Sequence, residues 1–126
     1  MAEVINPQNI LEEISVSDLL RRALELKKAG FRFSQAHAVY NSKDNKYELS
    51  YSFSDYSTYQ LHSLRVVVDL DTVVPSITEI IPAAVFYENE MKELFGVKIE
   101  MISADLQNKL YRIEVETPFG PKKEEA

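Results

Sequence analysis

The chain has 126 residues, a net charge of −6 and no cysteine. This length fits a single domain, and the lack of cysteine excludes disulfides and thiolate ligation of zinc or iron–sulfur clusters. The acidic balance disfavours nucleic-acid binding and a polybasic membrane anchor, because both need a positive field. We find no signal-peptide pattern and no apolar run approaching the roughly 20 residues of a spanning helix.

The N-terminal part of the chain predicts an arm followed by a helix. Residues 1–9 are expected to form the arm. The helix is predicted to be interrupted near Ser15 or Ser17, and Ser17 is a candidate N-cap because its hydroxyl can accept from free first-turn amides. Gly30 is expected to end the helix in the left-handed conformation. Helical spacing is shown by Leu19, Leu20, Ala23, Leu24 and Lys27.

Three strands are predicted next. Residues 31–40 form the first, and the turn-forming residues 41–45 indicate a hairpin. The second strand has one dry face, because apolar and polar residues alternate in it. Its apolar positions are Tyr47, Leu49, Tyr51 and Phe53. The third strand carries Leu64, Val66, Val68 and Leu70 on one face.

A second helix is predicted after Pro75 and Pro82, ending near Phe95 with Gly96 as its stop signal. Short strands are expected at residues 97–101 and 110–116. The prediction is therefore one α+β domain over residues 1–116, with an antiparallel or mixed β-sheet and two main helices packed on it. Residues 117–126 combine proline, glycine and charge, which is typical of a flexible C-terminal tail.

Residues 74–97, the signature segment, resemble the signature of the 30-kDa subunit family of respiratory complex I. Weaker similarity extends back to about Leu26. Asn89 stands where that family usually has arginine, and Glu93 where it usually has aspartate. The histidine- and arginine-rich segment that follows the signature in complex I is absent, so the chain is most similar to the short accessory subunit of energy-converting nickel–iron hydrogenases. The matching positions are Pro75, Ser76, Pro82, Ala84, Phe86, Glu88, Glu90, Leu94, Phe95 and Gly96.

The resemblance implies a structural subunit of an oxidoreductase complex, with no catalysis and no cofactor of its own. Its expected partners are a nickel–iron hydrogenase-type large subunit and iron–sulfur subunits, which would hold the metal centres. Contact with membrane subunits would be indirect, so the expected location is cytoplasmic and peripheral to the cell membrane.

A helical wheel of the signature segment gives one broad apolar face, with Asn89 opposite it. Val85 and Phe86 lie outside that face. They pack either under a loop of the same chain or on another subunit, and interfaces favour aromatic residues. The predicted partner-interface residues are Pro82, Val85, Phe86, Glu88, Glu90, Phe95 and Gly96. The wheel's apolar face consists of Ile80, Ala83, Ala84, Tyr87, Met91, Leu94 and Phe95.

Glu88 and Glu90 fall on opposite flanks of the apolar face, too far apart to act on one bond as a carboxylate pair. One interpretation is that they are solvated or locally paired, as Glu88 with Lys92. The sharper hypothesis is a half-buried carboxylate that meets Arg65, Arg112 or an arginine of a neighbouring subunit.

The two histidines, His37 and His62, could share a metal ion with Asp55 or Asp69, although ordinary sheet positions fit them better. A rival function is an acid–base enzyme that uses Glu90 or Glu93 with His62. A further alternative is a stand-alone protein-binding domain.

Overall fold

A four-stranded mixed sheet forms the centre of the computed structural model, which describes residues 9–55, 57–58, 60–102 and 119–121. The strands are β1 (Ile10–Ile14), β2 (Arg32–Asn41), β3 (Lys46–Ser54) and β4 (Leu61–Asp69), with a separate pair β5 (Val73–Pro75) and β6 (Lys98–Glu100). The helices are α1 (Leu19–Lys28), which follows a 3-10 turn (Val16–Asp18), and α2 (Val85–Glu90), which lies between a 3-10 turn (Pro82–Ala84) and a π-helical turn (Met91–Phe95).

The sheet order is β1-β4-β3-β2. Neighbouring strands β2, β3 and β4 pair antiparallel, as two successive hairpins. β1 pairs parallel with β4, with Ile10 opposite His62 and Ile14 opposite Val66. The predicted α+β class and the mixed sheet with two helices are confirmed.

Residues 10–14 form a strand, so the prediction that the first helix begins directly after residue 9 is wrong. The sequence Ile-Leu-Glu-Glu-Ile is too short for its periodicity to separate helix from strand. The parallel pairing with β4 makes these residues a strand, and Glu12 also binds Arg22 of α1 through both carboxylate oxygens, at 2.7 and 2.8 Å.

The first helix begins and ends at Leu19 and Lys28. Ser17 lies inside the preceding 3-10 turn and its hydroxyl bonds to that of Ser15 at 2.9 Å, so its predicted N-cap role is wrong. Gly30 adopts φ +93°, which confirms the predicted left-handed stop. Such an angle strains any residue that carries a Cβ.

Both helices pack on the same face of the sheet. The Phe33 ring of β2 contacts the Tyr87 ring of α2, with centroids 5.6 Å apart. The Tyr47 hydroxyl of β3 donates to the Phe95 carbonyl at 2.6 Å. The predicted apolar faces of β3 and β4 are buried, and the core residues that come from β3, β4 and α1 are Tyr47, Leu49, Tyr51, Phe53, Leu64, Val66, Val68, Leu19, Ala23 and Leu26.

The helical segment that consists of α2 and the π-helical turn ends at Phe95, as predicted. Gly96 adopts φ +85°, and its amide donates to the Lys92 carbonyl at 3.0 Å. The strand expected at residues 97–101 is β6. The strand expected at residues 110–116, together with Arg112, lies outside the described residues. Among the described residues, no helix combines the length and apolar character needed to cross a membrane.

Part of the C-terminal region contacts the π-helical turn. The Phe119 amide donates to the Leu94 carbonyl at 2.7 Å, and the Phe119 and Phe95 rings lie 5.6 Å apart. A Cβ on Gly120 would come within 2.0 Å of the Phe95 oxygen, so only glycine permits this approach. The domain boundary after residue 116 stays a prediction.

Candidate functional site

The signature segment has one side turned into the fold, and Glu88 is at its centre. The Glu88 side chain is fully buried, and its Oε1 accepts the backbone amide of Ile77 at 2.7 Å. The Ser76 hydroxyl also bonds to the carboxylate. Burial raises the pKa of Glu88, and these two hydrogen bonds only partly oppose the increase.

The loop that receives Glu88 is itself internally bonded. The Ser76 amide donates to the Glu100 carbonyl of β6 at 2.9 Å. The Ser76 Oγ accepts the Thr78 amide at 3.0 Å and lies 2.6 Å from the Thr78 Oγ1. Ser76, one of the signature positions, therefore stabilises the loop whose Ile77 amide binds Glu88.

Tyr51 lies beside this buried carboxylate. Burial raises the pKa of Tyr51, and the Glu88 charge raises it further. Among the described residues, neither the Tyr51 hydroxyl nor the Glu88 Oε2 has a hydrogen-bond partner. Sequence reasoning missed Tyr51 as a neighbour of Glu88, because its place in a regular strand alternation carries no sign of a polar contact.

The predicted pairing of Glu88 with Arg65 is wrong. Tyr51 and its cross-strand partner Leu64 belong to the helix-covered face of the sheet. Arg65 follows Leu64 in β4, so its side chain leaves the opposite face. Arg112, the other candidate within the chain, lies outside the described residues.

The helical wheel also fails at Asn89. This residue was expected opposite the apolar face, but it is 2% exposed, and its Nδ2 donates to the Val85 carbonyl at 2.8 Å. Conversely, Ala83 belongs to the predicted apolar face and is exposed. The α-helix itself covers only Val85–Glu90 between a 3-10 turn and a π-helical turn, so a constant 100° step does not describe the segment.

The other side of the signature segment faces outward. Phe86 is 62% exposed, so no loop among the described residues covers it as the first alternative required. Pro82 is exposed, and Val85 and Glu90 are half-buried. Their role as partner contacts stays a prediction.

The remaining predicted contacts are more internal. Phe95 and Gly96 are half-buried, and the Phe95 carbonyl is bonded to Tyr47. Glu88 is enclosed by its own chain, which makes it a support of the segment rather than a surface contact.

The two histidines lie on different faces of the sheet, so the shared metal site is wrong. His62 is buried, and its Nε2 lies 3.0 Å from Glu12 Oε1. His37 is exposed, opposite Ser50 on the other face. Within the described ranges, no group of three histidine, cysteine or acidic side chains could hold a metal ion.

The Glu12 carboxylate, rather than Glu90 or Glu93, is the partner of His62. Hydrogen bonds from Arg22 hold the pKa of Glu12 below its ordinary value, burial opposes them, and His62 adds a smaller lowering effect. The contacts of Glu12 with Arg22 and His62 join β1, α1 and β4, so their role is structural. They give no support to an acid–base pair of His62 with Glu90 or Glu93.

Comparisons with known proteins agree with this fold. The chain is 33% identical over 58 residues to a subunit of the NADH-quinone oxidoreductase of Chelativorans sp. (strain BNC1), a match that spans 46% of this chain and 29% of that protein. A chain of the membrane-bound sulfane sulfur reductase, an archaeal respiratory membrane complex, superposes with a TM-score of 0.78 at 20% identity, covering 90% of this chain and 69% of that one. Residues 12–118 match the sequence model of the respiratory-chain NADH dehydrogenase 30-kDa subunit, and the chain therefore belongs to that family.

Proposed function

We propose that the chain is a non-catalytic accessory subunit of a membrane-bound respiratory oxidoreductase complex. In this proposal it docks on the catalytic large subunit and the iron–sulfur subunits, on the cytoplasmic side, and reaches the membrane through them. Family membership supports the proposal, and so does the fold shared with a chain of a respiratory membrane complex. The departures at Asn89 and Glu93, together with the absence of the histidine- and arginine-rich segment after the signature, favour a hydrogenase-type complex within this class.

One observation carries the proposal: Phe86, in the middle of the signature segment, is 62% exposed. Pro82 and Ala83, in the 3-10 turn that precedes α2, are exposed as well. The buried half of the segment is explained by its own fold, through Glu88 and Ser76. The exposed Phe86 is not covered by the described part of the chain, and aromatic residues are enriched where proteins dock.

The chemistry of the chain fits an accessory role. It has no cysteine to ligate an iron–sulfur cluster or a nickel–iron centre, so we assign those groups to its partners and none to this chain.

The test is co-purification. The tagged chain is isolated from the cells that make it in a mild detergent, and the proteins that elute with it are identified by mass spectrometry. We expect a large subunit and iron–sulfur subunits with the wild-type chain, and their loss with Phe86→Ser. Val39→Ser is the matched control, because Val39 is 47% exposed and follows the buried Ala38 in β2, so its side chain leaves the sheet on the face opposite the helices. A chain that elutes alone, or equal retention by Phe86→Ser and the wild type, would contradict the proposal.

Two further measurements separate the alternatives. Nickel in the isolated complex would support the hydrogenase type, whereas NADH oxidation without nickel would support the NADH dehydrogenase type. Turnover by the isolated, metal-free chain that disappears in Glu90→Gln would favour the acid–base enzyme and overturn the accessory role.

A further inference from the structure

A pocket of about 260 Å³ lies where the end of α1, the start of β2 and the turn into α2 meet. Its apolar lining consists of Phe31, Phe33, Ile80, Ile81, Pro82 and Ala83. Pockets for drug-sized ligands run from about 300 to 1,000 Å³. The volume therefore suits one large side chain better than a cofactor.

The pocket is continuous with the exposed aromatic side of the signature segment. Pro82 and Ala83 belong to its lining and are exposed, and Phe86, which follows them by four and three residues, is exposed as well. The Phe33 ring, which also lines the pocket, contacts Tyr87, the residue after Phe86. A segment that covers Phe86 would therefore also reach the pocket.

Positive charge lies at the rim of this apolar pocket. The Lys27 Nζ donates to the Ile80 carbonyl at 2.5 Å, which fixes the ammonium group beside the lining. That carbonyl is neutral, and within the described part of the chain no carboxylate pairs with Lys27. On a chain of net charge −6, such a site favours an acidic partner segment.

We propose that this pocket receives one large apolar side chain from another subunit of the complex, with an aspartate or glutamate of the same segment meeting Lys27. The apolar side chain supplies most of the affinity, because anchors in desolvated pockets dominate interfaces. The carboxylate fixes the register of the segment. This inference rests on the proposed function, because it requires a partner subunit.

Photo-crosslinking in the assembled complex identifies the segment. Benzoylphenylalanine in place of Phe86 keeps an aromatic side chain beside the pocket, and mass spectrometry locates the crosslinked residue. We expect a crosslink within a few residues of a large apolar side chain and an acidic residue of a different subunit. A crosslink to a segment without an acidic residue, to a second copy of this chain, or to no other protein of a complex that contains the chain would overturn the inference. The proposed function is tested separately, by co-purification, by the comparison of Phe86→Ser with the wild type and by turnover of the isolated chain, so its failure is distinguishable from the failure of this inference.

Charge reversal tests the role of Lys27. Lys27→Glu is expected to weaken retention of the partner by at least about tenfold. Lys28→Glu is the matched control, because Lys28 is the next residue of α1 and does not line the pocket. Changing the partner's acidic residue to lysine should restore retention in Lys27→Glu. Equal losses in the two variants, or no rescue, contradict the inference.

A second variant keeps the inference testable if Lys27→Glu disturbs the Lys27–Ile80 hydrogen bond. Ala83→Trp fills the pocket from an exposed position and leaves that bond in place. We expect loss of the partner with an unchanged circular dichroism melting curve. Full retention by folded Ala83→Trp would show that nothing enters the pocket.

Discussion

The Glu88 carboxylate accepts the backbone amide of Ile77 at 2.7 Å, across eleven residues of the chain. This bond fastens α2 to the loop that follows β5. Phe86 lies two residues earlier on the same short helix, so the position of the exposed aromatic ring depends on a buried acid. One stretch of sequence thus contains both the outward side chain and its internal support.

Removing the Glu88 side chain should destabilise the protein. Glu88→Ala leaves the buried Ile77 amide without its acceptor, and we expect a loss of about 1–3 kcal/mol in the free energy of unfolding. Glu88→Gln keeps an acceptor oxygen and should retain most of the stability at neutral pH. Denaturant titration of both variants checks this, and equal losses in the two would show that the amide bond contributes little.

Glu88 also predicts a pH dependence. Because burial raises its pKa in the folded chain, the folded state keeps the proton at pH values where the unfolded state has lost it. The contribution of Glu88 to the free energy of unfolding is therefore fully present below the ordinary pKa of glutamate. It is lost as the pH rises from that value through the raised pKa of the folded state. Glu88→Gln should flatten this slope. Melting temperatures between about pH 4 and about pH 8 measure it, and identical slopes in the variant and the wild type would refute the assignment.

Two tyrosines of β3 allow a comparison between a bonded and an unbonded hydroxyl. The Tyr47 hydroxyl donates to the Phe95 carbonyl at 2.6 Å, whereas the Tyr51 hydroxyl has no hydrogen-bond partner among the described residues. Tyr47→Phe should therefore cost about 0.5–1.5 kcal/mol, and Tyr51→Phe should be neutral or stabilising. Chemical denaturation compares them directly. A larger loss in Tyr51→Phe would mean that its hydroxyl makes a bond in solution.

Neighbouring arginines of α1 provide another comparison. Arg22 binds Glu12 through two hydrogen bonds in a half-buried setting, whereas Arg21 pairs with Glu25 on the exposed surface. We expect Arg22→Ala to cost about 1–2 kcal/mol and Arg21→Ala about 0.5 kcal/mol or less, as measured by denaturant titration.

The Arg22 effect should also depend on pH. Since the pKa of Glu12 is lowered, its contribution is present above the ordinary glutamate pKa and disappears as pH falls through the folded value. The gap in melting temperature between Arg22→Ala and the wild type should therefore narrow in acid. A gap independent of pH would assign the loss to packing of the arginine side chain.

The sequence predicted those elements whose signals are local. Alternation from Tyr47 to Phe53 marks one strand face, and Gly30 and Gly96 mark helix ends because only glycine enters the left-handed region freely. β1 was missed because five residues carry too little periodicity, and its place in the sheet comes from parallel pairing with β4, a strand far along the chain.

The candidate site was predictable only in part. Phe86 stood outside the helical wheel's apolar face, and its exposure agrees with that pattern. The burial of Glu88 and Asn89 was not predictable from the wheel, because a 3-10 turn and a π-helical turn change the angular step at both ends of α2. The acceptor role of Glu88 depends on Ile77, in a loop whose shape comes from other bonds.

The parallel pairing of β1 with β4 has a consequence for synthesis on the ribosome. Ile10 lies opposite His62, so the first strand of the sheet to be translated pairs with the last. The two hairpins of β2, β3 and β4 can close from neighbouring sequence, and such local contacts form fastest. The nascent chain must therefore carry β1 unpaired until β4 has emerged, with the backbone hydrogen-bonding groups of β1 open to chaperones or to wrong partners in the interval.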